Sequence, residues 1–418
     1  MFMKGAPLDS TRGQAADMHI LQIVPEALPT FRADVAVLFG DYLPRHGVRC
    51  ALVGKPSELA VSAGSAQFER VEVSAQGGGR VRRELSFLAT CTAALLRARR
   101  RHCAVIQVRD MVSIGLLGLI IARCKGIPFA YWMSFLMCEG RIARARALVA
   151  AHGGLRHRLV LFKGLLEERL LYRFILPHAQ HVFVQSDAML EMMAAKGVPR
   201  ERLSAVPMGV NTEVLAAGTV CGEQLPGWTE GPLLAYLGTL DPSRQIVRMI
   251  DALAIVRATV PDARLLLIGG AARQQDVAQL QAHAEQLGLG EAVRITGWLP
   301  SEQAWKLLVG ADAAVSYIPR NQVYDVSSPT KLLEYLALGM PVVANDSPDQ
   351  VRVLEGSDAG WLVESSTEAM ADGLLQILRD MPAARARAAS GPAYIEAQRS
   401  YRVIASAVAR QYRRMAAR

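Results

Sequence analysis

Short apolar runs of five or six residues alternate with amphipathic stretches along most of the chain, the pattern of strands joined by helices. His19 to Pro25 predicts a strand, and Arg32 to His46 follows as a helix with Val35, Leu38, Phe39 and Tyr42 at core spacing. Val48 to Val53 and Ala104 to Val108 predict further strands. A helix over 111–123, a strand over Pro128 to Met133, a basic helical region and a strand over His181 to Gln185 come next. A second series runs through strands at Leu233 to Leu237, Ala263 to Ile268, Val293 to Thr296, Ala313 to Tyr317 and Pro341 to Ala344. Such alternation implies parallel sheets with right-handed crossovers and ligands at the carboxyl ends of the strands. Pro207 to Gly231, between the two series, is rich in Gly and Pro and weakly periodic, and is expected to be the hinge. A long terminal helix is expected from about Tyr394 to Arg418.

With 418 residues the chain exceeds one hydrophobic core and predicts two domains. Its 51% hydrophobic and 20% charged residues argue against extensive disorder. The mean hydropathy of +0.19 prompts a search for a membrane span. The best stretch, Met111 to Ala122, is twelve residues long before Arg123 and Lys125 interrupt it, too short for the hydrocarbon core. The first seventeen residues contain Lys4, Asp9, Arg12 and Asp17 without an apolar run, so a secretory signal is not expected. Six cysteines without a Cys-x-x-Cys pair predict reduced thiols in a cytoplasmic setting.

The net charge of +9 is unevenly spread. Between Arg141 and Arg173 eight Lys or Arg residues face two Glu, interleaved with apolar residues such as Leu155, Leu159, Phe162 and Leu166. Basic plus apolar suits a helix lying on an anionic bilayer, and a solvated face of an ordinary packing helix fits the same pattern. No patterned aromatics or groove-reading motif favours nucleic acid. No His-x3-His pair or Gly-x-Ser-x-Gly elbow supports a metalloprotease or hydrolase.

The most chemistry is carried by Ser327-Ser328-Pro329-Thr330-Lys331-Leu332-Leu333-Glu334, which leads through Gly339 into an apolar strand. Ser328 is expected to accept from the first helix amides and Pro329 to supply the first helical φ. The bare amides and aligned dipoles of that helix start attract an anion, and Lys331 adds a full positive charge. Glu334, one turn on, shares a face with Lys331 and Thr330, where a carboxylate can accept hydrogen bonds from both ribose hydroxyls. A nucleoside diphosphate would meet all of these groups.

This segment resembles the glutamate-bearing donor motif of retaining glycosyltransferases of family 4. The resemblance extends to Pro207-Met208-Gly209-Val210-Asn211, to Gly238-Thr239-Leu240 followed by Arg244, and to the strand ends at Gly269-Gly270 and Gly297-Trp298. It implies an α/β, GT-B architecture of two Rossmann-like domains whose parallel sheets face each other across a cleft. The acceptor domain would span 18–207 after an extension over 1–17, the donor domain 208–390, and the terminal helix, 391–418, would cross back to the first domain. It also implies transfer of a sugar from a nucleotide sugar to a lipid-linked or polysaccharide acceptor, with retention. No two aspartates are separated by one residue, so neither a metal nor another cofactor is expected, and the basic and apolar stretch over 141–173 suggests the inner face of the cytoplasmic membrane. Donor contacts would come from Gly238, Thr239, Arg244, Gly269, Gly297, Ser327, Ser328, Thr330, Lys331, Leu332 and Glu334. Arg244 and Lys331 would neutralise the leaving diphosphate. On the acceptor side the matching positions are Arg109 and Asp110, with Asp110 expected to orient or deprotonate the acceptor hydroxyl or else to cap a helix. Ser134-Phe135 stands where the family often has a His-Asp pair, and Arg32 is a candidate for an acceptor phosphate. Trp298 is expected to pack in the core or to border the nucleotide base. The family's first motif glutamate is Val326 here, with Ser327 beside it as a replacement contact. A nucleotide-sugar epimerase or hydrolase on the same fold, and a non-catalytic binding subunit, are the alternatives.

Overall fold

A computed structural model of the chain describes residues 17–417 apart from 31, 58–67, 224, 226, 229 and 230. The extension expected over 1–17 therefore lies outside the described residues, Asp17 excepted.

The first series of strands builds a seven-stranded parallel sheet: β1 (Met18–Leu28), β2 (Val48–Pro56), β3 (Arg70–Val73), β4 (Val105–Arg109), β5 (Phe129–Met133), β6 (His181–Val184) and β7 (Leu203–Ala205), in the order β3-β2-β1-β4-β5-β6-β7. The second builds a six-stranded parallel sheet: β8 (Leu233–Leu237), β9 (Arg264–Ile268), β10 (Val293–Ile295), β11 (Ala313–Ser316), β12 (Val342–Asn345) and β13 (Trp361–Val363), in the order β10-β9-β8-β11-β12-β13. Every residue of β4 and β5 is buried, as befits inner parallel strands covered by helices on both faces. The strands absent from the sequence reading, β3, β7 and β13, are edge strands of three or four residues whose side chains are largely part-exposed, so they carry little apolar signal.

In each sheet the strand order reverses beside the first strand, between β1 and β4 and between β8 and β11. At such a switch point neighbouring crossovers leave in opposite directions and open a crevice at the carboxyl ends. Both crevices border one cavity, described below.

The helix expected over Arg32 to His46 is three pieces: an α-helix at Ala33–Val37, a wider π-turn at Leu38–Tyr42 and a 3-10 turn at Pro44–His46. Gly40 weakens the middle, and Pro44 lacks the amide that would continue it. Val35, Leu38, Phe39 and Tyr42 are nonetheless buried at the expected spacing.

The terminal element also departs from one continuous helix. It breaks at Ser400, which is extended and caps Tyr401–Ala416 by accepting from the Val403 amide. That helix crosses to the first domain, burying Tyr401, Ile404, Val408, Tyr412 and Met415 in the cluster that holds Phe39, Tyr42 and Trp132. Tyr412 donates to Gln107 Oε1 at 2.6 Å. The break turns Arg399 inward, where it pairs with Asp349 at 2.6 Å, both side chains being about 5% exposed. A second tie joins the domains where Val326, 3% exposed, inserts into the core of the first domain and its carbonyl accepts from the Ser186 hydroxyl at 2.6 Å.

Candidate functional site

A cavity of about 590 Å3 lies between the two sheets, lined by Glu26, Asp34, Asp110 and Ser134 on one side and by Arg244, Ser327, Thr330, Lys331 and Glu334 on the other. A second cavity of about 360 Å3 shares Arg244, Thr330, Lys331 and Glu334 and runs on past Gly238, Thr239, Gly269, Trp298 and Trp305.

The second-domain half is organised by the helix Thr330–Ala337. Leu332, Leu333, Tyr335 and Leu336 are buried on its inner face, each contributing about 1.5–3 kcal/mol by leaving water. Tyr335 also accepts from the Leu237 amide at 2.9 Å, which pins the helix to the end of β8. Leu332 therefore reaches the cleft through its backbone alone. Thr330 and Lys331 stand at the helix start, and Glu334 is one turn further along the same face.

The expected cap is not made. The N-cap is Pro329, which has no side-chain oxygen to offer, so the first amides carry no side-chain cap. Ser328 is buried and otherwise engaged: it accepts from the Met208 amide at 3.0 Å and donates to Asp349 at 2.6 Å. Ser327 lines the cleft but donates its hydroxyl proton to the Tyr324 carbonyl at 2.6 Å. Val326 points into the first domain and does not reach the cleft, whereas the Ser327 oxygen keeps its capacity to accept.

Two glycines let Lys331 lie flat. Gly238, at φ 147°, leaves room where a Cβ would come within 2.7 Å of Lys331 Cε. Gly269, at φ 143°, faces Gly238 so closely that a Cβ would stand 2.0 Å from its carbonyl oxygen. Gly297, at φ 73°, bridges to Gly269. Lys331 Nζ then sits 5.2 Å from the centroid of the Tyr236 ring, and Arg244 lies 5.1 Å over Tyr324. Among the described residues neither cation has an ion-pair partner. Burial lowers Lys331 to about 7, helped by Arg244 and opposed by Glu334. Glu334 is raised to about 7, again by burial, against Lys331 and a hydrogen bond from Trp305. Trp298 is 65% exposed, so it is not a core residue. It borders the second cavity beside Gly270.

The first-domain half centres on Arg109, whose side chain is fully buried 2.6 Å from Asp34, 3.1 Å from Glu26 and 3.5 Å from Asp110. Burial acts to raise Asp34, but Arg109 and Arg32 outweigh it and hold the carboxyl below its usual range. Burial prevails at Glu26 and Asp110, which are both raised. Asp110, in the left-handed region at φ 51°, accepts from the Ser134 amide at 2.8 Å and from the Ser134 hydroxyl. It therefore clamps the ends of β4 and β5 with both oxygens. It is not a helix cap, since Met111 fills that position in front of Val112–Cys124. Arg32 lines the same cavity, half-exposed, and pairs with Asp34 at 3.2 Å and Glu26 at 3.5 Å. Sequence reasoning missed Glu26 and Asp34. Their one available signal was a carboxylate just past the first strand, where ligands of such sheets gather.

Among the described residues no group of three or more His, Cys, Asp or Glu could hold a metal ion. All six cysteines are free, and burial pushes Cys103 and Cys138 up to about 11.

Comparison with known proteins bears on the same cleft. The model of a glycosyl transferase 4-like domain matches residues 26–209, and that of glycosyl transferases group 1 matches residues 224–392. The chain is 32% identical over 216 residues to the phosphatidyl-myo-inositol mannosyltransferase of Mycobacterium leprae, covering 50% of this chain and 53% of that protein. It is 26% identical over 233 residues to a GDP-mannose-dependent alpha-(1-6)-phosphatidylinositol monomannoside mannosyltransferase of Mycobacterium tuberculosis, covering 54% and 60%. The chain thus spans little more than half the length of these relatives. Among solved structures, Anabaena HepE in complex with UDP and glucose superposes with a TM-score of 0.68 at 17% identity, over 94% of this chain and 99% of that one. Sucrose-phosphate synthase from Thermosynechococcus elongatus does so with 0.68 at 17%, over 96% and 99%. Matched over both halves and folded as two parallel sheets about one cleft, the chain belongs to the group 1 glycosyltransferases of family 4, with the GT-B fold.

Proposed function

We propose that this protein transfers a hexose from a nucleoside-diphosphate sugar to a lipid-linked or glycan acceptor, with retention and without a metal. One observation carries the reading: Arg244 and Lys331, without counter-ions among the described residues, meet an uncapped helix start in a cleft that also holds Glu334, a carboxylate placed to accept from ribose hydroxyls. A diphosphate would give both cations the partner they lack. In the reaction the bond from the anomeric carbon to the bridging oxygen breaks, its electron pair passing to the diphosphate. The acceptor oxygen bonds to that carbon, and its proton passes to the departing phosphate. Fixed cations aimed at the bridging oxygen supply the charge that a divalent metal would otherwise bring.

The relatives' names make GDP-mannose the first donor to try and phosphatidylinositol the first acceptor. The helix Leu155–Leu170 supports a membrane-surface acceptor. Leu155, Leu159, Phe162 and Leu166 form a stripe at i, i+4, i+7 and i+11 and are 74, 58, 66 and 47% exposed, with Arg156, Arg158, Lys163 and Arg169 around them. Such a face suits the headgroup boundary of an anionic leaflet. No helix among the described residues is long and apolar enough to cross a membrane.

The test is incubation of labelled GDP-mannose or UDP-glucose with phosphatidylinositol vesicles or a lipid extract. Label is expected to move into lipid, with the configuration of the new linkage read by NMR. Fast release of free sugar without acceptor would favour a hydrolase, and nucleotide binding without any transfer a binding subunit.

A further inference from the structure

We propose a phosphate-ester site in the first domain, outside the transfer cleft, where the loop Gly77-Gly78-Gly79 enters the helix Arg80–Arg97. A cavity of about 650 Å3 lies there, at the carboxyl ends of β2 and β3, and it shares no lining residue with either cavity of the cleft.

Charge at the helix start is the first observation. The cap is Gly79, which has no side chain, so the first amides carry no side-chain cap. Arg80, Arg82 and Arg83 fall in the first turn, with no acidic residue among them. Three full positive charges thus stand where free amides and the helix dipole are already positive, an arrangement that weakens the helix end unless an anion joins it. Among the described residues none of the three has an ion-pair partner, and Glu84, the one carboxylate lining the cavity, pairs with Lys55 at 2.8 Å.

A second observation points into the same cavity. Ser74, just past β3, lines it and is only 4% exposed, fixed by its amide, which donates to the Gly54 carbonyl at 3.2 Å. Its hydroxyl has no hydrogen-bond partner among the described residues. A polar group so far from water is costly without a partner, and a ligand oxygen removes the cost. The loop leaves the approach open: Gly77 and Gly78 take φ of 103° and 83°, values that suit glycine. A Cβ on Gly78 would stand 2.6 Å from Arg82 Cδ, so its absence lets that side chain fold back over the loop.

Chemistry selects the ligand. Guanidinium groups and backbone amides only donate, and a phosphate group offers them charged acceptor oxygens in several directions. The cavity is far larger than a bare phosphate, which leaves room for the organic part of an ester. A free sugar phosphate and the phosphodiester headgroup of a lipid share this chemistry.

Titration calorimetry on the full chain without nucleotide tests the site, with glucose 6-phosphate, glycerophosphoinositol and glucose as probes. At least one of the two esters should bind while glucose does not. Preference for glucose 6-phosphate assigns the site to a free phosphorylated metabolite, and preference for glycerophosphoinositol assigns it to a lipid headgroup. Arg80→Gln together with Arg83→Gln should weaken that binding at least about tenfold, the loss of hydrogen bonds to a charged group. Arg244→Gln together with Lys331→Met, which strips the transfer cleft of its cations, should leave it within about twofold. Arg80 and Arg83 are exposed, so their double variant should melt with the wild-type protein when no ligand is present, and only the wild-type protein should be stabilised by the ester. The proposal is overturned if neither ester binds, if glucose binds as well as they do, if the Arg80→Gln, Arg83→Gln protein binds as tightly as wild type, or if the cleft variant loses the binding instead.

Discussion

Lys331 offers a test in which the sign and the size of the effect both come from its surroundings. In the free protein burial and Arg244 bring its ammonium down to about 7, with Glu334 opposing and the Tyr236 ring beneath it. A bound diphosphate returns it toward the ordinary lysine range. The complex thus holds a proton that the free protein sheds as pH rises, so binding takes up a proton and weakens above neutrality. With a free value of about 7, half of the lysines are charged at pH 7 and about 1% at pH 9, so affinity should fall about fiftyfold, roughly 2.3 kcal/mol. Glu334 works in the opposite sense. Raised to about 7, it must lose a proton to accept from ribose hydroxyls, so affinity should also fall as pH drops below 7.

The result is a bell centred near pH 7, measured by titration calorimetry with GDP and UDP at several pH values. At each pH, buffers of different ionisation enthalpy report the protons taken up. Lys331→Met should abolish the alkaline limb and leave the acid one, and Glu334→Gln should do the reverse, which separates Glu334 from protonation of the ligand's own phosphate. A wild-type affinity that stays flat between pH 7 and pH 9, or a Lys331→Met protein that keeps the alkaline slope, would refute the assignment of this lysine to the diphosphate.

Three further outcomes follow from the same structure. Arg399→Ala should cost about 3–5 kcal/mol in chemical denaturation, because buried Asp349 loses its ion-pair partner and keeps only the Ser328 hydrogen bond; a loss below about 1 kcal/mol, the worth of an exposed pair, would show that this tie carries little. Gly269→Ala places a Cβ 2.0 Å from the Gly238 carbonyl in a left-handed conformation, so calorimetry should find nucleotide binding lost together with at least about 1–3 kcal/mol of stability; wild-type binding would contradict the close approach. The double change Leu159→Ser, Phe162→Ser should leave the melting temperature within a degree or so, since both side chains are exposed, yet reduce flotation with anionic vesicles by at least about tenfold. Equal flotation of the variant would remove that helix as the docking face.

What is legible in the sequence is local. The helix at Thr330, the cation three residues after Ser328 and the carboxylate one turn on follow from propensity and spacing within a dozen residues, and the structure gathers them as expected. The cap differs because a hydroxyl serves the partner that tertiary structure brings. Ser328 meets Met208, Asp349 and the neighbourhood of Arg399, residues between 21 and 120 positions away, and a proline is left at the helix start. Trp298 lies outside the core for a related reason, since its neighbour Gly270 and the open cavity beside it are defined by two different strand ends.

The first-domain half of the cleft is non-local throughout. Arg109 is separated from Asp34 by 75 residues, and their contact exists because β4 lies next to β1, a pairing that no periodicity encodes. Once that adjacency is known, the roles sort themselves by hydrogen-bond occupancy. Asp110 accepts from Ser134 with both oxygens, Arg32 pairs with Asp34 and Glu26, and the second oxygen of Glu26 is buried without a donor among the described residues. Facing it are two cations without counter-ions among the described residues. A cavity with two cations lacking counter-ions at one end and carboxylates gathered about Arg109 at the other favours an anionic leaving group at the first and hydroxyl donors at the second, and the proposed glycosyl transfer has that polarity.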